Sequence, residues 1–279
     1  MSAWLLAHEP AFRLGVFLTL FVSVAGWEVV APRRQLVLAK GRRWLANMGL
    51  VVFNTVAVRL LVPTAAIGAA VFSAEHGWGL LNLIELPEWA EVVLAVVLLD
   101  LAIYLQHVMF HAVPLLWRLH MVHHTDLDYD LTTGSRFHTI EILLSMGIKL
   151  ALVALLGPPA VAVLLFEVLL SGAATFNHGN IRLPLSVDRV LRWFLVTPDM
   201  HRVHHSVVPR ETNSNFGFNI PWWDRIFGTY QDQPSSGHDG IQIGIDPVQE
   251  RRPQSLLWML LLPFRGVPGA YSIRGRDYE

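Results

Sequence analysis

The stretch VVLAVVLLDLAIYLQHVMFH, residues 92–111, decides which kind of fold this chain can adopt. Nearly all of its side chains are apolar, and a helix that crosses a membrane needs about 20 mostly apolar residues. Three polar residues stand out: Asp100 lies inside the stretch, and His107 and His111 lie four residues apart at its end. Residues four apart share one face of a helix, so we expect a membrane-spanning helix that presents two imidazoles at one end.

The composition extends this expectation to the whole chain. Of the 279 residues, 53% are hydrophobic and only 15% are charged, whereas ordinary soluble domains contain about 25% charged residues. The net charge of −1 implies no affinity for nucleic acid. The chain contains no cysteine, so any metal must be bound through nitrogen and oxygen. We therefore predict an all-α membrane protein with a single integral membrane domain over residues 1–279.

Further apolar segments complete the expected bundle. They cover residues 12–31, 45–72, 142–156 and 159–176. The last two are short and are separated by GPP, so they form a helical hairpin whose full crossing of the membrane stays open. We expect about four transmembrane helices in two hairpins. The segment LLWMLLLPF, residues 256–264, is too short to span and is expected in the interface or on the core.

Basic residues set the expected orientation. The loop at residues 32–43 holds Arg33, Arg34, Lys40, Arg42 and Arg43, whereas the loop at 73–90 holds no lysine or arginine. By the positive-inside rule the first loop is cytoplasmic and the second lies outside. The N-terminus lacks the basic start of a signal peptide, so we expect it to be retained. Both later polar regions, 112–141 and 177–255, then lie in the cytoplasm as a helical cap.

The cap carries a repeated histidine motif. LHMVHH, residues 119–124, recurs as MHRVHH, residues 200–205, and ten of the thirteen histidines fall between residues 107 and 205. Side chains at i, i+3 and i+4 share a helix face, so we expect each motif to aim two or three ring nitrogens at one point. Eight to ten imidazoles exceed the four to six ligands of one ion and fit two ions.

Imidazole binds zinc, copper, iron and nickel. A nitrogen-rich site beside a bilayer suits iron that meets dioxygen and an apolar substrate, because oxidation of an unactivated C–H bond needs such a cofactor. Two other interpretations stay open. The histidines could belong to a membrane metal transporter or carrier, or the chain could be an inactive scaffold, which the intact motifs argue against.

The order of the motifs identifies a family resemblance. HVMFH, HMVHH, NHGN and HRVHH follow one another, and the last lies in TPDMHRVHHSVVPRETNSNFGFNIPWWDRIFGTY. In these residues the chain resembles the fatty acid hydroxylase and sterol desaturase superfamily of membrane di-iron enzymes. It is most similar to the bacterial branch, which is itself similar to alkylglycerol monooxygenase. The resemblance covers about residues 92–232, the expected catalytic region.

The resemblance implies a set of metal ligands. Their numbers here are His107, His111, His120, His123, His124, His138, His178, His201, His204 and His205. Some relatives carry one more histidine where this chain has Arg182. His138 is either the ligand that replaces it or a residue of the pocket.

The resemblance also implies the activity and its partners. We expect a membrane di-iron oxygenase that uses dioxygen to hydroxylate or desaturate a fatty acyl, alkyl-lipid or sterol substrate. Zinc or another divalent metal could occupy the iron sites in a preparation. The chain has no G-x-G-x-x-G motif after a strand, so electrons must come from a separate donor, which is a cytochrome b5-like protein, a ferredoxin or a reductase. The expected location is the bacterial inner membrane, with the metal site facing the cytoplasm.

Three polar residues are candidates for orienting the ligands. Metal-bound histidines usually donate their second N–H to a carboxylate or carbonyl. Asp100 is a candidate because carboxylates inside a membrane are usually functional. Asp199 is a candidate because it lies two residues before the second histidine motif. Asn177 is the candidate amide, which orients a ligand or contacts the substrate.

Overall fold

The computed structural model describes residues 2–62, 65–248 and 255–265, and every regular element within these ranges is helical. Two isolated β-bridges, Pro32 with Ile181 and Ser206 with Ile243, add the only strand-like pairing in this part of the chain. The predicted all-helical class is therefore confirmed for the described residues. Residues 249–254 and 266–279, which belong to the predicted single domain, lie outside the described ranges.

Fourteen α-helices follow one another along the described chain. They are α1 Ser2–Ala7, α2 Glu9–Val30, α3 Lys40–Leu61, α4 Ala66–Glu75, α5 Glu88–Ala112, α6 Pro114–His124, α7 Thr139–Leu156, α8 Ala160–Asn177, α9 Leu185–Leu191, α10 Pro198–His204, α11 Pro209–Thr212, α12 Trp222–Ile226, α13 Gly237–Gly240 and α14 Leu256–Leu261. Short 3-10 turns occur at Leu80–Leu83, Thr133–Ser135, Asp246–Val248 and Leu262–Phe264.

Five stretches of the described chain are long and apolar enough to cross a membrane, where the sequence predicts about four. They are α2, the α3–α4 stretch, α5, α7 and α8. Helices α7 and α8 have 18 residues each, a length of about 27 Å, which approaches the hydrocarbon thickness of about 30 Å. Both arms of the predicted short hairpin therefore count as candidate spans.

The predicted segment 45–72 is interrupted. Helix α3 ends at Leu61 and α4 begins at Ala66. Val62, with φ −129° and ψ 73°, has left the helical region. A proline disfavours helical dihedrals in the residue before it, which explains this end. Pro63 and Thr64 themselves lie outside the described residues.

The two ends of the bundle differ. At one end, Arg33 Nε donates to Asp199 Oδ2 at 3.2 Å, so the basic loop between α2 and α3 lies beside α10. At the other end, Gly79 packs against Gly157, which ends α7. Both glycines have positive φ, and a Cβ on either would meet the backbone of the other segment. The arginine-rich loop therefore shares its end of the bundle with the second histidine motif.

A buried ion-pair network fixes the segment after α6. Arg43 of α3 is fully buried, pairs with Asp126 at 2.7 Å and also contacts Asp130. Trp44 Nε1 donates to the same Asp130 carboxylate at 2.8 Å. Losing one partner of such a network leaves a buried charge uncompensated. This segment therefore holds α3 against the helix that carries the first histidine motif.

The apolar segment 256–264 packs on the core. Met259 of α14 is fully buried in a cluster with Leu50 of α3 and Trp117 of α6. Ser255 starts the helix, because its Oγ accepts from the backbone N–H of Trp258 at 3.3 Å. Of the two expected placements, the structure shows packing against α3 and α6.

Candidate metal centre

Nine histidines meet in two adjacent clusters. The first, which we call cluster A, contains His107, His111, His120, His124 and His204. The second, cluster B, contains His123, His178, His201 and His205. Within each cluster, one ring nitrogen per residue lies within 4.8 Å of all the others. The rings of His124 and His205 stack at 4.6 Å, so the two clusters lie side by side.

Each histidine motif is divided between the two clusters. His120 and His124 belong to cluster A, whereas His123 belongs to cluster B. In the second motif, His204 belongs to cluster A, whereas His201 and His205 belong to cluster B. Successive residues of a helix point about 100° apart, so neighbouring histidines diverge. Two of the three imidazoles of each motif thus meet at one point, as expected, and the third belongs to the other cluster.

Hydrogen bonds to the outer ring nitrogens of cluster A fix the tautomers. His107 Nδ1 donates to the carbonyl oxygen of Phe216 at 2.7 Å, and His120 Nδ1 donates to Glu141 Oε1 at 2.7 Å. A neutral imidazole with its proton on Nδ1 carries a lone pair on Nε2. The Nε2 atoms of His107 and His120 nevertheless lie only 3.1 Å apart. Two lone pairs at this distance repel unless a cation lies between them.

Two more rings of cluster A are held in the same way. His111 Nδ1 donates to Asn213 Oδ1 at 3.2 Å, and His204 Nδ1 donates to the carbonyl oxygen of Ser214 at 2.7 Å. Their Nε2 atoms are buried and have no hydrogen-bond partner among the described residues. Both are therefore free to bind a metal ion.

Cluster B has the same chemistry. His178 Nδ1 donates to the carbonyl oxygen of Ala174 at 2.8 Å, which leaves its Nε2 as an acceptor. That atom lies 3.2 Å from Nε2 of both His123 and His201. Two nitrogens each about 2.1 Å from one ion would be about 3.0 Å apart at a right angle and about 3.4 Å apart at the tetrahedral angle. The spacing therefore fits metal coordination.

Burial keeps the imidazoles of α6 and α10 neutral. Loss of water lowers the pKa of His120 to about 3. Burial, reinforced by neighbouring histidines, lowers the pKa of His123, His201 and His204 well below the ordinary value. A neutral ring is the form that binds a metal. The nine histidines thus fit a pair of metal ions.

His138 lies outside both clusters. Its Nδ1 accepts from the backbone N–H of Ile140 at 3.2 Å and so caps α7. Its other nitrogen, Nε2, donates to the carbonyl oxygen of Leu260 at 3.2 Å. With both ring nitrogens in such bonds, His138 is positioned as a helix cap. Arg182, which occupies the position of a further histidine in some relatives, is exposed.

The three candidate orienting residues have other partners. Asp100 accepts from Asn219 Nδ2 at 2.7 Å and from Trp223 Nε1 at 2.8 Å. Asp199 pairs with Arg33 and Arg202. Asn177 Nδ2 donates to the carbonyl oxygen of Phe218 at 3.1 Å. The bonds of Asp100 and Asn177 join α5 and α8 to the segment 218–223, and Asp199 joins α10 to the loop between α2 and α3; none of these bonds is to a clustered imidazole.

The groups that do hold the rings were not singled out from the sequence. Glu141, in the first turn of α7, is one of several carboxylates near the motifs, and its position directly before the apolar segment 142–156 is the available signal. The carbonyl oxygens of Ala174, Ser214 and Phe216 have no such signal, because every residue has a carbonyl. Only the folded backbone selects them.

Asn215 shapes the segment that supplies two of these carbonyls. Its φ of 51° lies in the left-handed region, which asparagine tolerates better than most residues. Its side chain donates to the carbonyl oxygens of Met200 at 2.9 Å and Gln231 at 2.8 Å. The turn places the carbonyl groups of Ser214 and Phe216, on either side of it, against two different histidines of cluster A.

A cavity of about 260 Å³ adjoins cluster A between α5, α7 and α8. His107, His120 and Glu141 line one end, and Phe110, Ile142, Met146 and Leu170 line its apolar middle. Lys149 and Glu167 lie at the other end, paired at 2.6 Å. Lys149 follows Glu141 by eight residues on α7, a rise of about 12 Å. The cavity therefore runs from the histidines into the apolar bundle.

This fold and this site define a class: helical proteins with several candidate membrane spans and a buried all-histidine centre suited to two metal ions. Comparison with known proteins narrows the class. Residues 92–229 match the model of the fatty acid hydroxylase family. This part of the chain, which contains both clusters, belongs to that family. No solved structure matches the chain.

Curated relatives are similar over the same region. The ornithine lipid hydroxylase OlsE of Rhizobium tropici is 30% identical over 56% of this chain and 46% of its own length. The alkylglycerol monooxygenase of Xenopus tropicalis is 31% identical over 68% of this chain and 42% of its own. Human cholesterol 25-hydroxylase is 27% identical over half of each chain. The matched region thus spans half or less of these relatives.

Proposed function

We propose that this protein is a membrane-bound lipid hydroxylase that uses dioxygen and a pair of iron ions held by clusters A and B. One observation carries the proposal: His107 and His120 belong both to cluster A and to the wall of an apolar cavity inside the bundle. A lipid chain in that cavity would lie beside the metal site. The similarity to lipid hydroxylases and monooxygenases supports the same activity.

The contacts indicate what the metal and the surrounding residues would each contribute to the reaction. When bound, iron supplies the activation of dioxygen that oxidation of an unactivated C–H bond requires. Glu141, Asn213 and the backbone carbonyls hold the imidazoles in one tautomer and one orientation. Such preorganisation is what a protein contributes around a reactive metal. The apolar wall orients the substrate chain and excludes water from it.

The apolar lining supports a fatty acyl, alkyl-lipid or sterol substrate. Hydroxylation is proposed ahead of desaturation, because the similar proteins are hydroxylases and monooxygenases. The proposal includes a separate electron donor of the cytochrome b5, ferredoxin or reductase type.

The proposed location is the bacterial inner membrane with the clusters on the cytoplasmic side. The contact between Arg33 and Asp199 supports this orientation, because it puts the most basic loop at the end of the bundle that carries the clusters. The positive-inside rule then assigns that end to the cytoplasm.

The decisive experiment uses the purified, iron-loaded protein in nanodiscs made from bacterial lipid. With a chemical reductant and oxygen-18 gas, we expect a lipid product that carries one labelled oxygen atom. Loss of two hydrogens without label would indicate desaturation instead. The variant His123→Ala should abolish the product, and His76→Ala, which removes an exposed histidine at the opposite end of the bundle, should keep it.

The same preparation tests the alternative of a metal transporter or carrier. Two tightly held ions per chain, retained through dialysis against a weak chelator, support the enzyme. Rapidly exchanging metal that crosses vesicles containing the protein, with no labelled lipid, would replace the hydroxylase proposal by the transport one.

A further inference from the structure

Glu141 has one carboxylate oxygen that the fold leaves unused. The residue is only 4% exposed, and its Oε1 accepts from His120 Nδ1 at 2.7 Å. Its Oε2 is buried without a hydrogen-bond partner among the described residues. Leaving a buried acceptor unpaired costs about 1–3 kcal/mol, and more for a charged group. Such an atom is therefore usually satisfied by something else.

The cavity next to cluster A offers the room for that partner. Glu141 lines it together with His107 and His120. The other carboxylate on the cavity wall, Glu167, is a useful contrast, because Lys149 and Arg13 bind its two oxygens at 2.6 and 2.5 Å. Of the two carboxylates, the one beside the histidines thus has an unpaired oxygen.

The nearby polar side chains of the wall do not supply the missing donor. Gln106 Nε2 donates to Ser145 Oγ at 3.0 Å, so the amide and the hydroxyl one turn beyond Glu141 pair with each other. The remaining lining around Glu141 is apolar and includes Phe110, Phe137 and Ile142. Among the described residues no side chain of the wall donates to Oε2, so a donor on the molecule that fills the cavity would satisfy it.

We propose that Glu141 Oε2 is the hydrogen-bond acceptor for the lipid substrate, which therefore carries an O–H or N–H group a few bonds from the carbon that is oxidised. The inference rests on the proposed function and narrows its substrate class. Hydroxylated or amide-linked lipids fit, whereas a plain hydrocarbon chain does not. The same carboxylate orients His120, so binding of this donor also fixes the substrate relative to cluster A.

Matched probes test the inference without requiring turnover. Radiolabelled hexadecanol and methoxyhexadecane share one chain and one oxygen, but a methyl group replaces the hydroxyl proton in the ether; their binding to the metal-loaded protein in nanodiscs can be compared directly. A hydrogen bond to this buried and otherwise unpaired acceptor should make hexadecanol bind roughly 10- to 100-fold more tightly. Glu141→Gln should remove this preference, because the amide oxygen is needed by His120 and the amide N–H₂ then faces the probe. Ser145→Ala, on the same wall, should keep it.

Equal binding of the two probes by the native protein overturns the inference, as does a preference that survives in Glu141→Gln or a failure of both probes to bind. Should Glu141→Gln not fold, the native protein alone still decides. It must then prefer N-dodecylacetamide over its N-methyl derivative by a similar factor. The labelled-oxygen experiment is independent: hydroxylation without probe discrimination refutes only the inference, and discrimination without hydroxylation refutes only the proposed function.

Discussion

The imidazoles of His123 and His178 meet through their Nε2 atoms at 3.2 Å, although 55 residues separate them in the chain. One lies on α6, the other follows α8, and both belong to the four-membered cluster B. Cluster B offers four nitrogen ligands, and removal of either residue leaves three.

The first prediction concerns metal content. His178→Ala should lower the bound metal by about one ion per chain, since three nitrogens hold an ion more weakly than four. His138→Ala removes a histidine that caps α7 and should keep both ions. Elemental analysis of the purified variants measures this directly. Equal loss in both variants would contradict the assignment of His138 to a capping role.

The second prediction concerns the buried Arg43. Arg43→Met leaves the carboxylates of Asp126 and Asp130 buried without their cation, and should lower the free energy of unfolding by about 3–5 kcal/mol. The neighbouring Arg42 is exposed, so Arg42→Met should change it by less than about 0.5 kcal/mol. Titration with a denaturing detergent compares the two. A small loss in Arg43→Met would show that this network contributes little.

The third prediction concerns Asn215. Asn215→Gly and Asn215→Ala both lose three side-chain hydrogen bonds, worth about 3 kcal/mol together. Alanine should cost about 1 kcal/mol more than glycine, because φ of 51° strains a side chain with a Cβ. The difference in unfolding free energy between the variants tests the strain. Equal stability would mean that the backbone relaxes there.

The fourth prediction concerns pH. Burial raises the pKa of Asp224 to about 6, although Thr229 and the N–H groups of Phe216 and Gly217 donate to it. The folded protein therefore binds this proton more tightly than the unfolded chain does. This contribution to stability is complete below about pH 4 and is lost as the pH rises through about 6. Asp224→Asn should flatten the fall in stability between these values, and an unchanged profile would refute the assignment.

The sequence predicted the histidine site well because its signal is local. Motif spacing marked eight of the histidines, and the family resemblance added His178 and His138; the structure brings nine of these ten together. The division of each motif between two clusters could not be foreseen, since it depends on how α6 and α10 face each other. His138 shows the same limit, because a capping histidine and a ligand look alike in sequence.

The carboxylates expected to orient the histidines are not the groups that do so, for a related reason. Asp100 and Asp199 are conspicuous in the sequence, but Asp100 accepts from Asn219, and Asp199 pairs with Arg33 of the loop between α2 and α3. The rings themselves are oriented by Glu141, Asn213 and backbone carbonyl groups. Long-range pairing between a side chain and a carbonyl oxygen has no signature in composition or spacing.

The hydrogen bond between His107 and Phe216 joins residues 109 positions apart, and this separation orders events during synthesis. A ribosome would deliver α5 to the bilayer well before the carbonyl group that locks its imidazole exists. The newly inserted helices therefore carry histidines without their hydrogen-bond partners until the segment that contains Phe216 has been synthesised. The centre therefore assembles late in synthesis, and a nascent chain that ends before Phe216 would be inserted yet unable to assemble it.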